Sequence, residues 1–242
     1  MENRFLNPTK PEEIVQELFN HNLEIVNEFY KYFSKEILEF AELFAAAYKK
    51  YLELDRLLIG TENKQKAYTE GFAYLIFDNL LVSEKLFILG YQTPSGNLMR
   101  QAIESVALAI LCSSNNEIEI RTRKDKIKHI NFFEEFVEGK SEAKSHKAIE
   151  YLEMNFKKLE VRKDAIDILK KSRSFFHQYS HPTLLSLATT VSFEAPGKMF
   201  IGGGFDFGKI KEYEKELKHR INFCRILPNI IEGLITKISK LP

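Results

Sequence analysis

Apolar residues recur at helical spacing through most of the chain. Between Val26 and Leu58 they return every three or four residues, which places them on one face of an α-helix. One helix over that span would be about 50 Å long at 1.5 Å per residue, and Ser34 is a candidate N-cap where it could break. Pro11 suits the first turn of an earlier helix. The pattern predicts a mainly helical protein.

Capping and stop signals divide the rest of the chain into further helices. Thr61 is a candidate cap for a helix that stops at Gly90, and Thr93-Pro94 marks the start of another that ends near Cys112. The remaining predicted helices span about residues 121–138, 141–159, 162–179 and 208–240. Pro228 is expected to kink the last of them, because proline lacks the N–H that a helix interior needs.

One segment changes to a two-residue period. Apolar and small residues alternate from Leu187 to Phe193, which is typical of a β-strand. The turn-forming residues 195–198 follow, and residues 199–201 can return as a second strand. We therefore expect one β-hairpin at about 186–202. The predicted fold class is a mainly α, multi-helix bundle with this small hairpin before the last long helix, and residues 1–242 are expected to form a single domain.

Composition excludes several classes of protein. The chain has 242 residues, of which 44% are hydrophobic and 29% charged, so it can bury a core and is not intrinsically disordered. No apolar run approaches the roughly 20 residues of a membrane span, so no membrane partner is expected. Cys112 and Cys224 are isolated in apolar helical patterns, which favours reduced thiols and a cytoplasmic location.

Charge is distributed unevenly along the chain, although its net value is only +1. Residues 1–120 hold 11 Lys+Arg against 18 Asp+Glu, whereas residues 121–173 hold 15 against 10 and residues 174–242 hold 9 against 6. Acidic and basic halves can attract each other within the fold. Alternatively, a basic face can raise the local concentration of a polyanion such as RNA.

The motifs of the large cofactor-dependent enzyme classes are missing from the sequence. It contains no phosphate-loop lysine motif, no dinucleotide-binding glycine fingerprint, no paired-cysteine metal motif and no nucleophile elbow. The run Gly202-Gly203-Gly204 lacks the lysine that a phosphate loop requires. We therefore expect no cofactor.

Arg100 and Glu104 are the first candidate site residues. They lie four residues apart in a helix that is apolar on most sides, and such a helix is usually buried. Buried charges are costly unless they are paired. The two residues are therefore either a structural ion pair or part of a substrate-binding site.

The second candidate is a cluster of basic residues near the end of the helix at 162–179. Arg173, His177 and His181 follow at four-residue intervals, and Lys170 and Lys171 precede them. The histidines could interact with the negative end of the helix dipole, or act in acid–base chemistry on RNA. They could also bind a metal if a third ligand came from elsewhere in the chain, for which the candidates are Glu104, His129, His146 and Glu150.

The chain combines a buried helix that carries Arg-x-x-x-Glu with a later helix that has Arg and His before Ser180-His181-Pro182. This combination resembles the HEPN-type helical proteins of bacterial defence and toxin systems. It also resembles related uncharacterised bacterial families. The resemblance covers about residues 94–188. Family members usually have four to six residues between Arg and His. Here three residues separate Arg173 from His177, and seven separate Arg173 from His181.

The resemblance implies a helical bundle, frequent dimers and, in active members, metal-independent cleavage of RNA. It implies that Arg173 steadies a phosphate and that His177 and His181 move protons. Arg100, Glu104, Lys170 and Lys171 would then bind the RNA or nucleotide substrate. We also expect a homodimer with the long helix at 26–58 in the interface. The alternative function is a non-enzymatic interaction or regulatory protein whose polar pairs are structural.

Overall fold

The structure is a computed structural model that describes residues 9–122, 126–140, 143–195 and 197–241. These ranges contain nine α-helices and one small antiparallel sheet. In chain order the elements are α1 (Pro11–Leu18), α2 (Leu23–Arg56), α3 (Lys64–Ile88), α4 (Gln92–Cys112), β1 (Ile118–Arg121), β2 (Ile127–Ile130), α5 (Phe132–Val137), α6 (Ala148–Met154), α7 (Lys163–His177), α8 (Leu184–Thr190) and α9 (Ile210–Ile238). The predicted fold class, mainly helical with one small two-stranded unit before the last long helix, is confirmed.

Helix α4 lies at the centre of the fold. It packs against α3, α7 and α6, and also contacts α5, α8 and α9. Every residue from Ser105 to Cys112 is buried, as expected for a helix that is apolar on nearly all sides. Glu104 is the partly exposed exception in the otherwise buried second half of this helix. The candidate residues on α4 are therefore fixed by a rigid core element.

Helix α2 packs into two separate hydrophobic clusters. Phe29 and Phe33 pack with Phe87 and Tyr213 in a small cluster, in which the Phe29 ring lies 5.0 Å from Phe87 and 4.9 Å from Tyr213 between centroids. From Phe40 onwards the helix packs into the main core instead. The backbone leaves helical geometry at Phe33 (φ −126°, ψ 20°), next to the predicted break at residue 34. The long helix therefore exists, and it is kinked where its packing partners change.

The strand prediction for residues 187–190 is wrong. These residues form α8, which begins with a reciprocal cap: the Thr183 hydroxyl accepts a hydrogen bond from Ser186 N–H, and the Ser186 hydroxyl accepts one from Thr183 N–H. What remains of the hairpin at 186–202 is the single bridge between Val191 and Met199. Residue 196 of its predicted turn lies outside the described residues. A local cap of about 1 kcal/mol decides between helix and strand in so short a run.

The helix predicted at 121–138 is also wrong at residue 121 and at residues 127–130, because these belong to the sheet, while residues 123–125 lie outside the described residues. Ile118 and Ile120 on β1 are buried, and Ile118 pairs with the buried Ile130 on β2. The Asn155 side chain bonds both the N–H and the C=O of Glu119 at 2.8 Å, so it acts as a further pairing partner for β1. Only α5 remains of the predicted helix.

Helix ends follow the predicted signals in part. Gly90 has the left-handed conformation expected after a helix (φ +85°). Thr93 does not cap α4, since Tyr91 occupies that position and Thr93 lies in the first turn. Pro228 lies inside α9, which continues on both sides of it. Residue 141, where another helix was expected to begin, lies outside the described residues.

Within the described ranges, no helix is both long and apolar enough to cross a membrane.

Candidate functional site

Helices α4 and α7 bring the two candidate clusters together. Arg173 on α7 donates from Nε to Oε1 of Glu104 on α4 at 3.2 Å. Arg100 Nε lies 4.0 Å from the same carboxylate oxygen. Residues that are 69 positions apart in the sequence therefore meet at one oxygen atom.

A third element holds Arg173 from the other side. Its Nη2 donates to the backbone carbonyl of His146 at 2.7 Å, in the short 3₁₀ turn Ser145–Lys147. The side chains of Arg173, Arg100 and Glu104 remain 31%, 21% and 13% exposed. Within the described residues, Arg100 Nε has no hydrogen-bond acceptor although it is buried. The cluster is thus fixed in place while part of each arginine faces solvent.

His177 is the last residue of α7, and His181 lies four residues beyond it, after the helix has ended. Both are exposed, and their ring centroids are 5.0 Å apart. Partial burial is the main cause that lowers the pKa of His177, and the nearby positive charges of His181, Arg100 and Arg173 lower it further. Glu104 opposes this shift. The lowered pKa favours a neutral His177 that can accept a proton at neutral pH.

The two predicted lysines do not join this cluster equally. Lys170 donates its amine to Glu153 Oε1 at 2.7 Å, and Lys163 shares the same oxygen at 3.1 Å. Lys170 therefore pairs with Glu153 on α6, and its role in substrate binding stays a prediction. Lys171 is exposed and forms no ion pair within the described residues.

A metal site at His177 and His181 would need further ligands from elsewhere in the chain. In the part of the chain that the structure describes, no three His, Cys, Asp or Glu side chains are grouped so that they could hold an ion. The pair His177 and His181 is therefore without a third protein ligand in that part.

A second charged cluster, which the sequence analysis missed, lies in the core. Arg220 on α9 donates from Nη1 to Glu216 Oε2 at 3.0 Å, and its Nε lies 3.3 Å from Glu84 Oε2 on α3. All three side chains are almost completely buried. The guanidinium carbon lies 4.6 Å from the centroid of the Phe87 ring and 5.0 Å from that of Phe176. We call Glu84, Glu216 and Arg220 the buried network.

Polar side chains from α4 and from the turn after α7 complete the buried network. Arg220 Nη2 donates to Ser95 Oγ at 2.6 Å, while Gln92 Nε2 donates to Glu216 Oε1 at 3.1 Å. The Tyr179 hydroxyl donates to the same Glu216 oxygen at 2.7 Å. Burial raises the pKa of Glu84 to about 7; Arg220 acts against the increase and Glu216 adds to it.

Tyr179 links the buried network to the surface cluster. It follows His177 by two residues, and its ring packs directly on Gly96 of α4, where a Cβ atom would lie 2.5 Å from Tyr179 Cγ. The end of α7 that carries His177 is therefore anchored in the core.

A sequence signal for the buried network existed in the spacing of Glu216 and Arg220, which lie one helical turn apart on an apolar helix face.

No protein-family model, curated protein or solved structure matches this chain.

Proposed function

We propose that Arg100, Glu104, Arg173, His177 and His181 form a site that cleaves RNA without a metal ion. The observation that carries the proposal is the convergence of both arginines on Glu104, beside two exposed histidines. The resemblance to HEPN-type proteins supports the same reaction. Positive charge, proton acceptors and solvent access are the three requirements of this chemistry, and they coincide here.

Arg173 supplies the phosphate contact in this proposal. A guanidinium carries five N–H donors, and two of them are used for Glu104 and the His146 carbonyl. The remaining donors can hold the non-bridging oxygens of a phosphodiester in a two-point contact. Arg100 adds a second positive charge where negative charge develops in the transition state.

The histidines divide the proton transfers. His177 accepts the proton of a ribose 2′-hydroxyl, and the resulting oxygen attacks the adjacent phosphorus. The bond from phosphorus to the 5′ oxygen breaks, and protonated His181 donates a proton to that leaving oxygen. The products are a 2′,3′-cyclic phosphate and a 5′-hydroxyl end, so atoms and charge balance.

The test is cleavage of a mixed pool of RNAs by the purified protein in the presence of a chelator. Arg173→Gln and His177→Gln should each lower the rate by about 10²–10⁴-fold, as removal of a phosphate ligand or a general base does. His129→Gln is the matched control, because His129 is an exposed histidine on β2. The proposal fails if the folded wild-type protein leaves every RNA intact, or if His177→Gln cleaves as fast as the control.

A homodimer is a further part of this proposal. Tyr30 and Leu38 are large apolar residues that remain exposed on α2, so this helix offers a surface for a second copy. A dimer would bring two Arg–His clusters into one particle, as in the family that the chain resembles. Light scattering at micromolar concentration checks it, and a monomeric mass would contradict it.

The cytoplasm is the location that suits the cysteines best. Cys112 and Cys224 are both free and buried, and burial raises the pKa of the Cys112 thiol to about 12. Thiols of this kind persist in a reducing compartment. Fractionation of cells that express the protein would test the location.

One observation favours the second candidate function, a non-enzymatic interaction protein. Residues 184–207 expose an unusual number of large apolar side chains, each more than half accessible: Leu184, Leu187, Phe193, Met199, Ile201 and Phe207. Such surfaces often mark contacts with other proteins. This function predicts that Arg173→Gln leaves partner binding intact, whereas Phe193→Ser weakens it.

A further inference from the structure

A cavity of about 230 Å³ opens at the opposite end of α4 from the network residue Gln92. It lies between the loop after α4, the turn after α6 and the C-terminal end of α9. Ser113 lies nine residues beyond Glu104, about 13 Å along the helix axis, so the cavity is separate from the Arg–His cluster. Its polar lining includes Ser113, Ser114, Lys158, Glu160, Lys237 and Lys240.

Three lysines line this cavity without forming an ion pair to any described carboxylate. In the described residues, no carboxylate oxygen lies within 4 Å of the amines of Lys158, Lys237 or Lys240. Other lysines of the same chain behave differently, since Lys50 and Lys163 each pair with two carboxylates. Glu160 also lines the cavity, but three positive charges face its single negative charge. The cavity therefore has an excess of positive charge that no described side chain neutralises.

Lys237 is the most enclosed of the three lysines. Its Nζ donates one hydrogen bond to the backbone carbonyl of Leu159, which leaves two of its three N–H donors. Burial lowers the pKa of Lys237 to about 8; Lys240 lowers it further and Glu160 opposes the shift. Placing a half-buried amine beside other amines is unfavourable unless an anion joins them.

We propose that this cavity binds the phosphate group of a small molecule. A phosphate offers several acceptor oxygens and up to two negative charges, which match the donors of Lys158, Lys237 and Lys240. The hydroxyl of Ser114 and the amide groups of Asn115 and Asn116 supply further polar contacts at the rim. The volume is below the roughly 300–1,000 Å³ of sites for drug-sized ligands, so the cavity suits a compact group.

The first experiment measures the binding of inorganic pyrophosphate by calorimetry at low ionic strength and pH 7. Lys237→Gln and Lys240→Gln should each weaken binding at least about tenfold, because each removes a charge-assisted hydrogen bond. Lys218→Gln is the matched control, an exposed lysine of the same helix some 28 Å away from Lys237 along its axis. Lys240 is exposed, so its substitution should leave the fold unchanged, which circular dichroism checks.

The pH dependence separates a specific site from general attraction. Affinity should fall between pH 7 and pH 9, as Lys237 loses its proton, well below the pH at which an ordinary lysine titrates. Lys237→Arg should keep its affinity over this range, because the guanidinium stays charged.

Several outcomes would overturn this proposal. The first is that the wild-type protein shows no saturable binding of pyrophosphate. The second is that Lys218→Gln loses as much affinity as the cavity variants. The third is that a short single-stranded RNA displaces pyrophosphate, which would assign the cavity to an RNA backbone. No step of the test involves RNA cleavage. A failure here therefore leaves the Arg–His site untouched, and the reverse also holds.

Discussion

Arg220 and Arg173 are both held by glutamates, but they lie in opposite surroundings. Arg220 is fully buried, is shared by two carboxylates and lies close to two phenylalanine rings. Arg173 is about a third exposed and has one carboxylate and one backbone carbonyl as partners. The same type of pair is therefore enclosed in one region and open to solutes in the other.

This difference decides which of the two clusters is accessible to a solute. In the buried network, Glu216 and Ser95 accept hydrogen bonds from Arg220, and Glu84 lies within ion-pair distance of its Nε. The guanidinium is fully buried, so no solute can reach its charge. The cluster connects α3, α4 and α9, and buried ion pairs of this kind contribute little net stability. In the surface cluster, both arginines keep part of their surface for a ligand. Burial, more than residue type, decides which arginine a solute can reach.

The largest expected effect comes from breaking the buried network. Arg220→Met should lower the free energy of unfolding by about 3–5 kcal/mol, because two buried carboxylates lose their positive partner. Urea denaturation measures the change. Arg225→Met is the matched control on the same helix, since Arg225 is exposed and pairs with Glu39; it should cost less than about 1 kcal/mol. Equal effects of the two substitutions would contradict the comparison.

The next prediction concerns pH. The pKa of Glu84 is raised from 4.5 to about 7 in the folded chain, so between these values the folded state keeps a proton that the unfolded state has released. Stability should therefore fall as pH rises from about 4.5 to 7, by an amount on the order of 3 kcal/mol.

The Glu84→Gln variant isolates this contribution. It cannot titrate at position 84, so its stability should lack this part of the decline, and the difference between the two urea series reports Glu84 alone. Parallel series across the whole pH range would show that Glu84 titrates normally in the fold.

A smaller effect tests the contact that connects the two regions. Gly96→Ala would place a Cβ atom 2.5 Å from the Tyr179 ring, so it should cost about 1–3 kcal/mol and disturb the end of α7. Gly71→Ala on α3 is the matched control. It meets no atom within 4 Å, and alanine favours a helix interior, so stability should rise by about 0.5–1 kcal/mol. Thermal unfolding of both variants gives the comparison, and two changes of the same sign would argue against the close contact.

The sequence predicts the long helices well and the short elements poorly. Gly90 marks a helix end through its backbone conformation, and the stripe of α2 extends over enough turns to exclude a strand. Residues 187–193 span only seven positions, in which helical and strand periods are hard to distinguish. The cap at Thr183 then favours the helix, whereas β1 is held in part by the distant Asn155.

The surface cluster and the buried network also differ in how far the sequence predicts them. The four-residue spacing in the sequence already indicates two pairs, Arg100 with Glu104 and Arg173 with His177. Only the fold brings the two pairs together. The buried network needs Glu84 and Glu216, which are 132 positions apart, so no local pattern connects them. Lys170 shows the converse, because its neighbouring sequence places it beside Arg173 while its side chain pairs with Glu153.

The smallest expected effect is the most direct probe of the open region. Removing positive charge in Arg173→Gln should raise the pKa of His177, and removing negative charge in Glu104→Gln should lower it. Both shifts should be small and shrink in high salt, because His177 is exposed and its interactions are screened. NMR titration of the histidine ring protons measures them, with His129 as an internal reference on β2. Opposite pKa shifts in the two variants would place His177 within the electrostatic field of Arg173 and Glu104. If neither variant changes the pKa of His177, the histidine does not interact electrostatically with Arg173 and Glu104. That result would remove the basis for a joint action of the arginines and the histidine on a phosphate.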